Sequence, residues 1–332
     1  MCDCLNVSGD SKIRYGHDMF VRSVGRGKLK VKRLALIRLI LLATLACGGD
    51  TACAQKNITF QDVQKLPAPA ADYRIAYGDD TSQFGELRLP RGGSQTTRLP
   101  VVIVIHGGCW LADYDLGQVS NFSDALTRAG VATWNLEYRR LGQTGGGWPG
   151  TFQDVARGAD HLRVLARTHP LDLERVVVVG HSAGGQLALW LAARHKLPQE
   201  SLLFAPDPLR LRGVVSLAGV TDLEEFGRGC GGAAGKLLGG TAGEVGERYA
   251  QTSPIKLLPL GIPQRLVHGA LDSIVPVKLG RDYEAAAKAR GDNVSLTVLE
   301  RMGHFDLISS NSGAWPTVEQ AVLSLLELKK NS

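Results

Sequence analysis

Short apolar runs and longer amphipathic segments alternate along residues 73–329. Two of the runs, 73–77 and 85–90, alternate apolar and polar positions, which is typical of half-buried strands, and we expect them to pair as an antiparallel edge. Six further apolar runs predict strands at 100–105, 131–136, 176–179, 211–218, 264–269 and 294–299. The run at 176–179 is four consecutive valines, which predicts a strand buried on both faces as in parallel sheets.

Helices are predicted between these strands, at 121–128, 152–168, from Leu187 onward, 277–290 and 317–329. Strands and helices that alternate at this spacing predict a mostly parallel, doubly wound α/β sheet in a single domain. Residues 222–254 are rich in glycine and show no regular pattern. This segment is long enough to cover part of a pocket, but it does not predict a second domain.

The valine strand runs into Gly180-His181-Ser182-Ala183-Gly184, a Gly-x-Ser-x-Gly pattern that leads into the next helix. A sharp turn of this kind strains the serine backbone and lifts its hydroxyl clear of the sheet, where the N-terminus of the helix favours negative charge. The pattern therefore predicts Ser182 as a nucleophile. The simpler alternative is a Gly/Ser turn that only joins a strand to a helix.

A second candidate segment, His106-Gly107-Gly108-Cys109-Trp110, ends the buried strand at 100–105. Two glycines at a strand exit allow backbone N–H groups to face outward, as an oxyanion hole requires. We expect the N–H groups of Gly107, Gly108 and Cys109 to act with that of Ala183. The alternative is a plain strand-exit turn, and we expect His106 to brace the loop rather than to act as a base.

Two more loops carry the remaining groups of a serine hydrolase. Asp272 follows the strand at 264–269, and His304 follows the strand at 294–299. Because the exit loops of parallel strands gather at the carboxyl edge of the sheet, Ser182, Asp272 and His304 can converge there. His304 would accept the serine proton and Asp272 would orient the imidazole. Asp222 is the alternative acid, and His268 is interpreted as structural.

With these motifs, the sequence resembles the α/β-hydrolase superfamily, in particular His-Gly-Gly-x-Trp esterases similar to hormone-sensitive lipase, feruloyl esterases and kynurenine formamidases. The resemblance extends over about residues 73–328. It implies the α/β-hydrolase fold with at most a short lid, and an open substrate pocket lined by aromatic side chains: Trp110, Tyr138, Trp148 and Phe152. It also implies that the pair Tyr138-Arg139 braces the oxyanion loop.

The 332 residues are 44% hydrophobic and 21% charged, as in an ordinary globular protein. The net charge of +6 lies almost entirely in residues 1–54, which hold nine Lys/Arg and four Asp/Glu. Since the remaining chain has a net charge near zero, nucleic acid is not an expected partner.

Residues 1–54 have the parts of a secretory signal: a basic region, the apolar run 39–46, and Ala52-Cys53-Ala54 as a cleavage site. The apolar run is too short for a membrane span. We expect export to the periplasm or the medium with cleavage near Ala54; a lipid anchor at Cys47 and a retained leader are the alternatives. The predicted organisation is a leader at 1–54, a polar segment at 55–72 and the hydrolase domain at 73–330.

The cysteine content and the glycine-rich segments suggest no cofactor. After removal of the leader only Cys109 and Cys230 remain, without metal-ligand spacing, and a disulfide between them is one possibility. No phosphate-binding or dinucleotide motif is present, so neither a metal nor an organic cofactor is expected.

Together these features predict a serine hydrolase that cleaves small carboxylic esters through an acyl-enzyme intermediate, with a small-molecule ester as its partner. An arylformamidase acting on an N-formyl aromatic amine would need the same catalytic groups and is the first alternative. A non-catalytic binding protein on a hydrolase scaffold is the second. The acyl and alcohol preferences and the oligomeric state have no signal in the sequence.

Overall fold

An eight-stranded, mostly parallel sheet forms the centre of the computed structural model, which describes residues 57–91 and 98–328. These residues belong to one compact unit, Gln55–Ser332. The predicted leader and its cleavage site lie outside the described residues. The strands are β1 (Tyr73–Ala76), β2 (Phe84–Arg88), β3 (Leu99–Ile105), β4 (Ala132–Leu136), β5 (Leu171–His181), β6 (Gly213–Leu217), β7 (Gln264–Gly269) and β8 (Val294–Leu299).

The strand order is β1-β2-β4-β3-β5-β6-β7-β8. β1 pairs with β2, and β2 with β4, in the antiparallel sense, whereas the other neighbours are parallel. The predicted antiparallel edge, the parallel core and the α/β fold class are therefore confirmed. The valines of β5 are at most 1% exposed because helices cover both faces of the sheet.

Ten helices flank the sheet within the described residues: α1 (Phe60–Gln64), α2 (Ser120–Arg128), α3 (Gly150–Asp160), α4 (Leu162–Leu165), α5 (Ala183–Ala193), α6 (Leu223–Phe226), α7 (Gly229–Leu238), α8 (Gly246–Thr252), α9 (Val277–Lys288) and α10 (Trp315–Leu325). The predicted helix at 152–168 is shorter and divided into α3 and α4. None of the helices in the described ranges is both long enough and apolar enough to span a bilayer.

The segment that showed no pattern in the sequence folds into α6, α7 and α8, between β6 and β7. Its second helix begins irregularly, because Cys230, Gly231 and Gly232 all have positive φ angles. Ala233, Ala234, Leu237 and Leu238 then pack into the main core. The segment is thus an ordered cover on the sheet rather than an open loop, and it is part of the same domain.

Candidate active site

Ser182 occupies the sharp turn between β5 and α5, with φ 56° and ψ −120°. A positive φ is strained for a residue that has a side chain, and the surrounding packing must hold it. A Cβ atom on Gly180 would lie 2.0 Å from the carbonyl oxygen of Gly184, and one on Gly184 would lie 2.2 Å from that of Ile105. Both glycines are required because the turn packs against itself and against the end of β3.

Asp272 and His304 are joined directly, although 32 residues separate them. His304 Nδ1 donates a hydrogen bond to Asp272 Oδ2 across 2.6 Å. The other oxygen, Oδ1, accepts the backbone N–H groups of Ile274 and Val275 at 2.8 and 2.9 Å. These bonds fix the carboxylate and leave Nε2 of His304 as the ring nitrogen that can accept a proton.

The environment of Asp272 favours its charged form. Burial by itself would raise the pKa of this carboxyl group, but hydrogen bonds from His268 and His304 outweigh that effect and hold the pKa well below its usual range. His268 also donates to the carbonyl oxygen of Val275 across 2.8 Å. The interpretation of His268 as structural agrees with this position beside the acid loop.

His181, which precedes Ser182, contacts the loop of His304. Its Nε2 donates to the carbonyl oxygen of His304 across 3.0 Å, and the two ring centroids are 4.4 Å apart. Its Nδ1 is buried and has no hydrogen-bond partner among residues 57–91 and 98–328. Burial lowers the pKa of His181 well below its usual value, and the neighbouring His304 adds to this effect. His181 is therefore a neutral ring that ties the Ser182 turn to the His304 loop.

The hydroxyl of Ser182 makes no hydrogen bond to His304 among the contacts of the described residues. Such bonds are often long in enzymes without substrate. The two loops are nevertheless adjacent through His181, and Ser182 is 3% and His304 6% exposed. The Asp272–His304 pair is thus formed in the structure, and the serine lies beside it at the same sheet edge.

The loop after β3 has three consecutive residues with positive φ: Gly108 at 99°, Cys109 at 53° and Trp110 at 57°. A Cβ atom on Gly108 would lie 2.2 Å from the side chain of Tyr114, so glycine is required there. Successive residues in this conformation turn their N–H groups into a concavity that suits an anion.

Among the described residues, the N–H groups of Gly107, Gly108, Cys109 and Ala183 donate none of the backbone hydrogen bonds formed outside the helices and strands. Ala183 is the first residue of α5, where a helix offers no internal partner. A Cβ atom on Gly107 would lie 3.0 Å from Cβ of Ser182, which places this loop against the turn of the serine. The predicted oxyanion residues and the predicted nucleophile are therefore neighbours.

A buried network of hydrogen bonds supports this loop. The hydroxyl of Tyr138 donates to the carbonyl oxygen of His106 across 2.8 Å, and the two rings stack. His106 Nε2 lies 3.0 Å from Glu137 Oε1, and its Nδ1 lies 2.8 Å from the carbonyl oxygen of Gly107. The bracing predicted for His106 and Tyr138 corresponds to these contacts. Arg139, which was predicted to share that role, instead forms a bidentate ion pair with Asp154.

Glu137 is the residue that the sequence analysis missed. Its side chain is 3% exposed and accepts hydrogen bonds from the backbone of Leu116 and Tyr138 as well as the contact from His106. Burial tends to raise the pKa of Glu137, but His106 and Arg140 more than compensate and lower it. A carboxylate directly after a fully buried strand was the available signal, since such a group needs partners in the core.

Three of the four residues predicted to line the pocket do not line it. Trp110, Tyr138 and Phe152 have no exposed surface and belong to the hydrophobic core, so the prediction is wrong for them. Phe152 packs between Trp148 and Trp190, with ring centroids 6.0 and 5.0 Å away. These apolar rings are buried because packing beside α5 removes them from water. Trp148 is half-buried, and its role stays a prediction.

The structure answers two questions that the sequence left open: whether Cys109 and Cys230 form a disulfide, and whether Asp222 could be the acid. Cys109 is disulfide-bonded to Cys230, so the predicted oxyanion loop is covalently attached to α7. Asp222, the alternative acid, caps α6 by accepting the backbone N–H groups of Glu224 and Glu225. Its carboxylate is therefore engaged at a helix N-terminus rather than with His304.

Comparison with known proteins gives a match to one protein family and to several curated relatives. A family described as BD-FAE matches residues 86–286. The acylamino-acid-releasing enzyme of Rattus norvegicus is 28% identical over 256 residues, which is 73% of this chain and 33% of that enzyme. The probable carboxylic ester hydrolase LipM of Mycobacterium tuberculosis is 25% identical over 194 residues, or 57% of this chain and 44% of LipM. The chain thus spans between about a third and a half of these curated relatives.

Among solved structures, a truncated carbohydrate esterase from gut microbiota aligns with a TM-score of 0.68 and 18% identity, over 79% of this chain and all of that one. At this identity the similarity establishes the fold, and the predicted α/β-hydrolase fold is confirmed.

Proposed function

The chain belongs to the BD-FAE family of α/β-hydrolases, and from this we propose that it is a carboxylic ester hydrolase with Ser182 as its nucleophile. The observation that carries the proposal is the meeting of three loops at one sheet edge. The Ser182 turn, the hydrogen-bonded Asp272–His304 pair and the unengaged N–H groups of the oxyanion loop are neighbours there. This set of groups performs acyl transfer in serine hydrolases.

In the proposed reaction, Ser182 Oγ attacks the ester carbonyl carbon while His304 Nε2 takes the hydroxyl proton. Asp272 stabilises the imidazolium through the bond to Nδ1. The carbonyl oxygen becomes an oxyanion and accepts hydrogen bonds from the N–H groups of Gly108, Cys109 and Ala183. The ester C–O bond then breaks, and the alkoxide leaves with the proton from His304.

The resulting acyl-enzyme is hydrolysed by water. His304 takes a proton from the water as it attacks the acyl carbon, and a second oxyanion forms in the same place. The bond to Ser182 Oγ breaks, the proton returns to this oxygen, and the carboxylic acid is released.

Two of the names reported above specify ester hydrolysis, and none specifies a formamide. The relatives are an ester hydrolase, a carbohydrate esterase and an acylamino-acid-releasing enzyme, so they lend no support to the arylformamidase alternative. A small ester therefore remains the proposed substrate class.

The test is turnover of p-nitrophenyl acetate by the wild type and by the Ser182→Ala variant. Ser216→Ala is a matched control, because Ser216 is also buried and pairs in register with Gly180 at the same end of the sheet. We expect activity in the wild type and in Ser216→Ala, and its loss in Ser182→Ala. Equal turnover by the wild type and Ser182→Ala would refute the proposal.

We also propose that the protein is exported. The disulfide between Cys109 and Cys230 supports this, because such bonds persist mainly in oxidising compartments. N-terminal sequencing of the protein recovered from its native host tests the proposal: a mature chain that begins near Gln55 is expected, and one that still contains the apolar run 39–46 of the leader would contradict it.

A further inference from the structure

A small cavity lies between the α6–α7 segment and the loop that carries Asp272. We call it the Phe226 cavity; it has a volume of about 230 Å³ and its apolar walls are Phe226, Gly229, Ile274 and Leu279. The aromatic ring of Phe226 packs directly on Gly229, where a Cβ atom would lie 2.4 Å from the ring. A larger residue at position 229 would therefore displace the Phe226 ring and change the shape of the cavity.

The walls of this cavity are attached to two loops of the proposed active site. Ile274 donates its N–H to Asp272 Oδ1 across 2.8 Å, and Gly229 precedes Cys230, which is bonded to Cys109 of the oxyanion loop. The ring of Phe226 also contacts that of Trp110, at a centroid distance of 6.4 Å. The cavity thus lies next to both the acid loop and the oxyanion loop.

The chemistry of the cavity differs between its walls and its rim. Phe226, Ile274 and Leu279 contribute hydrocarbon side chains to the walls, and Phe226 and Leu279 are only 6% and 3% exposed. At the rim, Lys278 forms ion pairs with Glu225 and Asp282 at 3.5 and 2.5 Å, so its charge is already compensated. An uncharged apolar group is the ligand that gains most from such a site, because it leaves no polar group unpaired.

We propose that the Phe226 cavity is a substrate subsite that binds an apolar group of the ester, of the size of one aromatic ring or a short branched chain. The inference rests on the proposed function, since it assigns a specificity site to the same active centre. The volume sets the size, because pockets that hold a whole drug-sized ligand begin at about 300 Å³. The group can belong to the acyl or to the alcohol part of the ester.

The experiment compares two pairs of esters with two variants of Ile274. In the acyl pair, p-nitrophenyl acetate is compared with p-nitrophenyl benzoate; in the alcohol pair, methyl acetate is compared with benzyl acetate. Ile274→Trp fills the cavity and Ile274→Ala enlarges it. Ile274 is half-buried and its hydrogen bond to Asp272 comes from the backbone N–H, so both substitutions retain the donor group.

We expect Ile274→Trp to lower kcat/KM for the larger ester of one pair by about 10-fold or more relative to the smaller ester of the same pair. A general loss of activity would reduce both esters of a pair alike and leave this ratio unchanged. Ile274→Ala is expected to shift the preference in the opposite direction. The pair that responds shows whether the acyl or the alcohol group enters the cavity.

Leu271 is the matched control, because it lies on the same loop, is exposed and does not line the cavity. Equal effects of Ile274→Trp on both members of each pair, or the same change of preference in Leu271→Trp, would overturn the subsite. A wild-type protein that hydrolyses none of the four esters would instead refute the proposed function.

Discussion

His181 donates a hydrogen bond from Nε2 to the backbone carbonyl oxygen of His304 across 3.0 Å. The two residues are 123 positions apart, yet this bond joins the turn of the proposed nucleophile to the loop of the proposed base. The burial of His181 keeps its ring neutral, so only one of its nitrogens donates, and the carbonyl oxygen of His304 determines which one. We therefore expect His181 to act as a positioning residue.

Replacement of His181 by Asn should lower kcat by about 10-fold to 100-fold, because an error of about 1 Å in the position of a catalytic group has effects of this size. KM should change little, and His181→Gln should recover part of the loss, because its longer side chain brings an amide N–H closer to the position of Nε2 than Asn does. Steady-state kinetics on p-nitrophenyl acetate measures both parameters. His195→Asn, at an exposed histidine, is the control; an unchanged kcat in His181→Asn would remove the positioning role.

Glu137→Gln should destabilise the fold by about 3–5 kcal/mol, the usual result of breaking a buried charge pair by removing one partner. The variant leaves His106 and Arg140 beside a neutral amide, and it loosens the support of the oxyanion loop. Urea unfolding measures the change in the free energy of unfolding. Glu244→Gln, at an exposed glutamate, serves as the control. A Glu137→Gln protein as stable as the wild type would show that the Glu137–Arg140 ion pair contributes nothing to stability.

The Cys109–Cys230 disulfide closes a loop of 121 residues, and its loss should cost about 2–4 kcal/mol of stability. Cys230→Ser should also lower kcat, because the oxyanion loop then depends on hydrogen bonds alone to keep its positive φ angles. Kinetics with and without dithiothreitol measures this effect, and the reductant should not affect the Cys230→Ser variant. Wild-type activity that is insensitive to full reduction, verified by thiol titration, would contradict the prediction.

The low pKa of Asp272 predicts how stability depends on pH. Because the pKa is lower in the folded than in the unfolded chain, the carboxylate stabilises the fold fully above about pH 4 and loses this contribution as the pH falls further. The wild type should therefore exceed Asp272→Asn in unfolding free energy most at neutral pH, and the difference should shrink below about pH 4. Chemical denaturation from pH 3 to 7 measures it; a difference that grows toward acid would reverse the assigned sign.

The sequence predicted the elements of the sheet well because their signals are local. All eight strands were anticipated, and β5 differs mainly by its earlier start at Leu171. The antiparallel edge followed from the alternation in β1 and β2. The strand order did not follow, since β2 lies beside β4 through contacts that no local pattern encodes.

The candidate site was anticipated through motifs, and its supporting residues were not. Ser182, Asp272 and His304 each follow a strand, so the topology brings them together. Glu137 and His181 act through partners 31 and 123 residues away, which spacing cannot reveal. For the aromatic side chains, the sequence analysis assigned core residues to the pocket. A large apolar ring is equally compatible with a pocket wall and with the core, and Trp110 and Phe152 lie in the core.

The most direct test of the central claim, that Ser182 forms a covalent intermediate, is mass spectrometry after treatment with paraoxon, an organophosphate that phosphorylates serine nucleophiles. A single diethylphosphoryl adduct on the peptide that contains Ser182 is expected, with loss of ester turnover in proportion to labelling. The Asp272→Asn and His304→Gln variants should label far more slowly, because the hydroxyl is then not activated. An adduct on another residue, or full labelling with undiminished ester turnover, would contradict the claim.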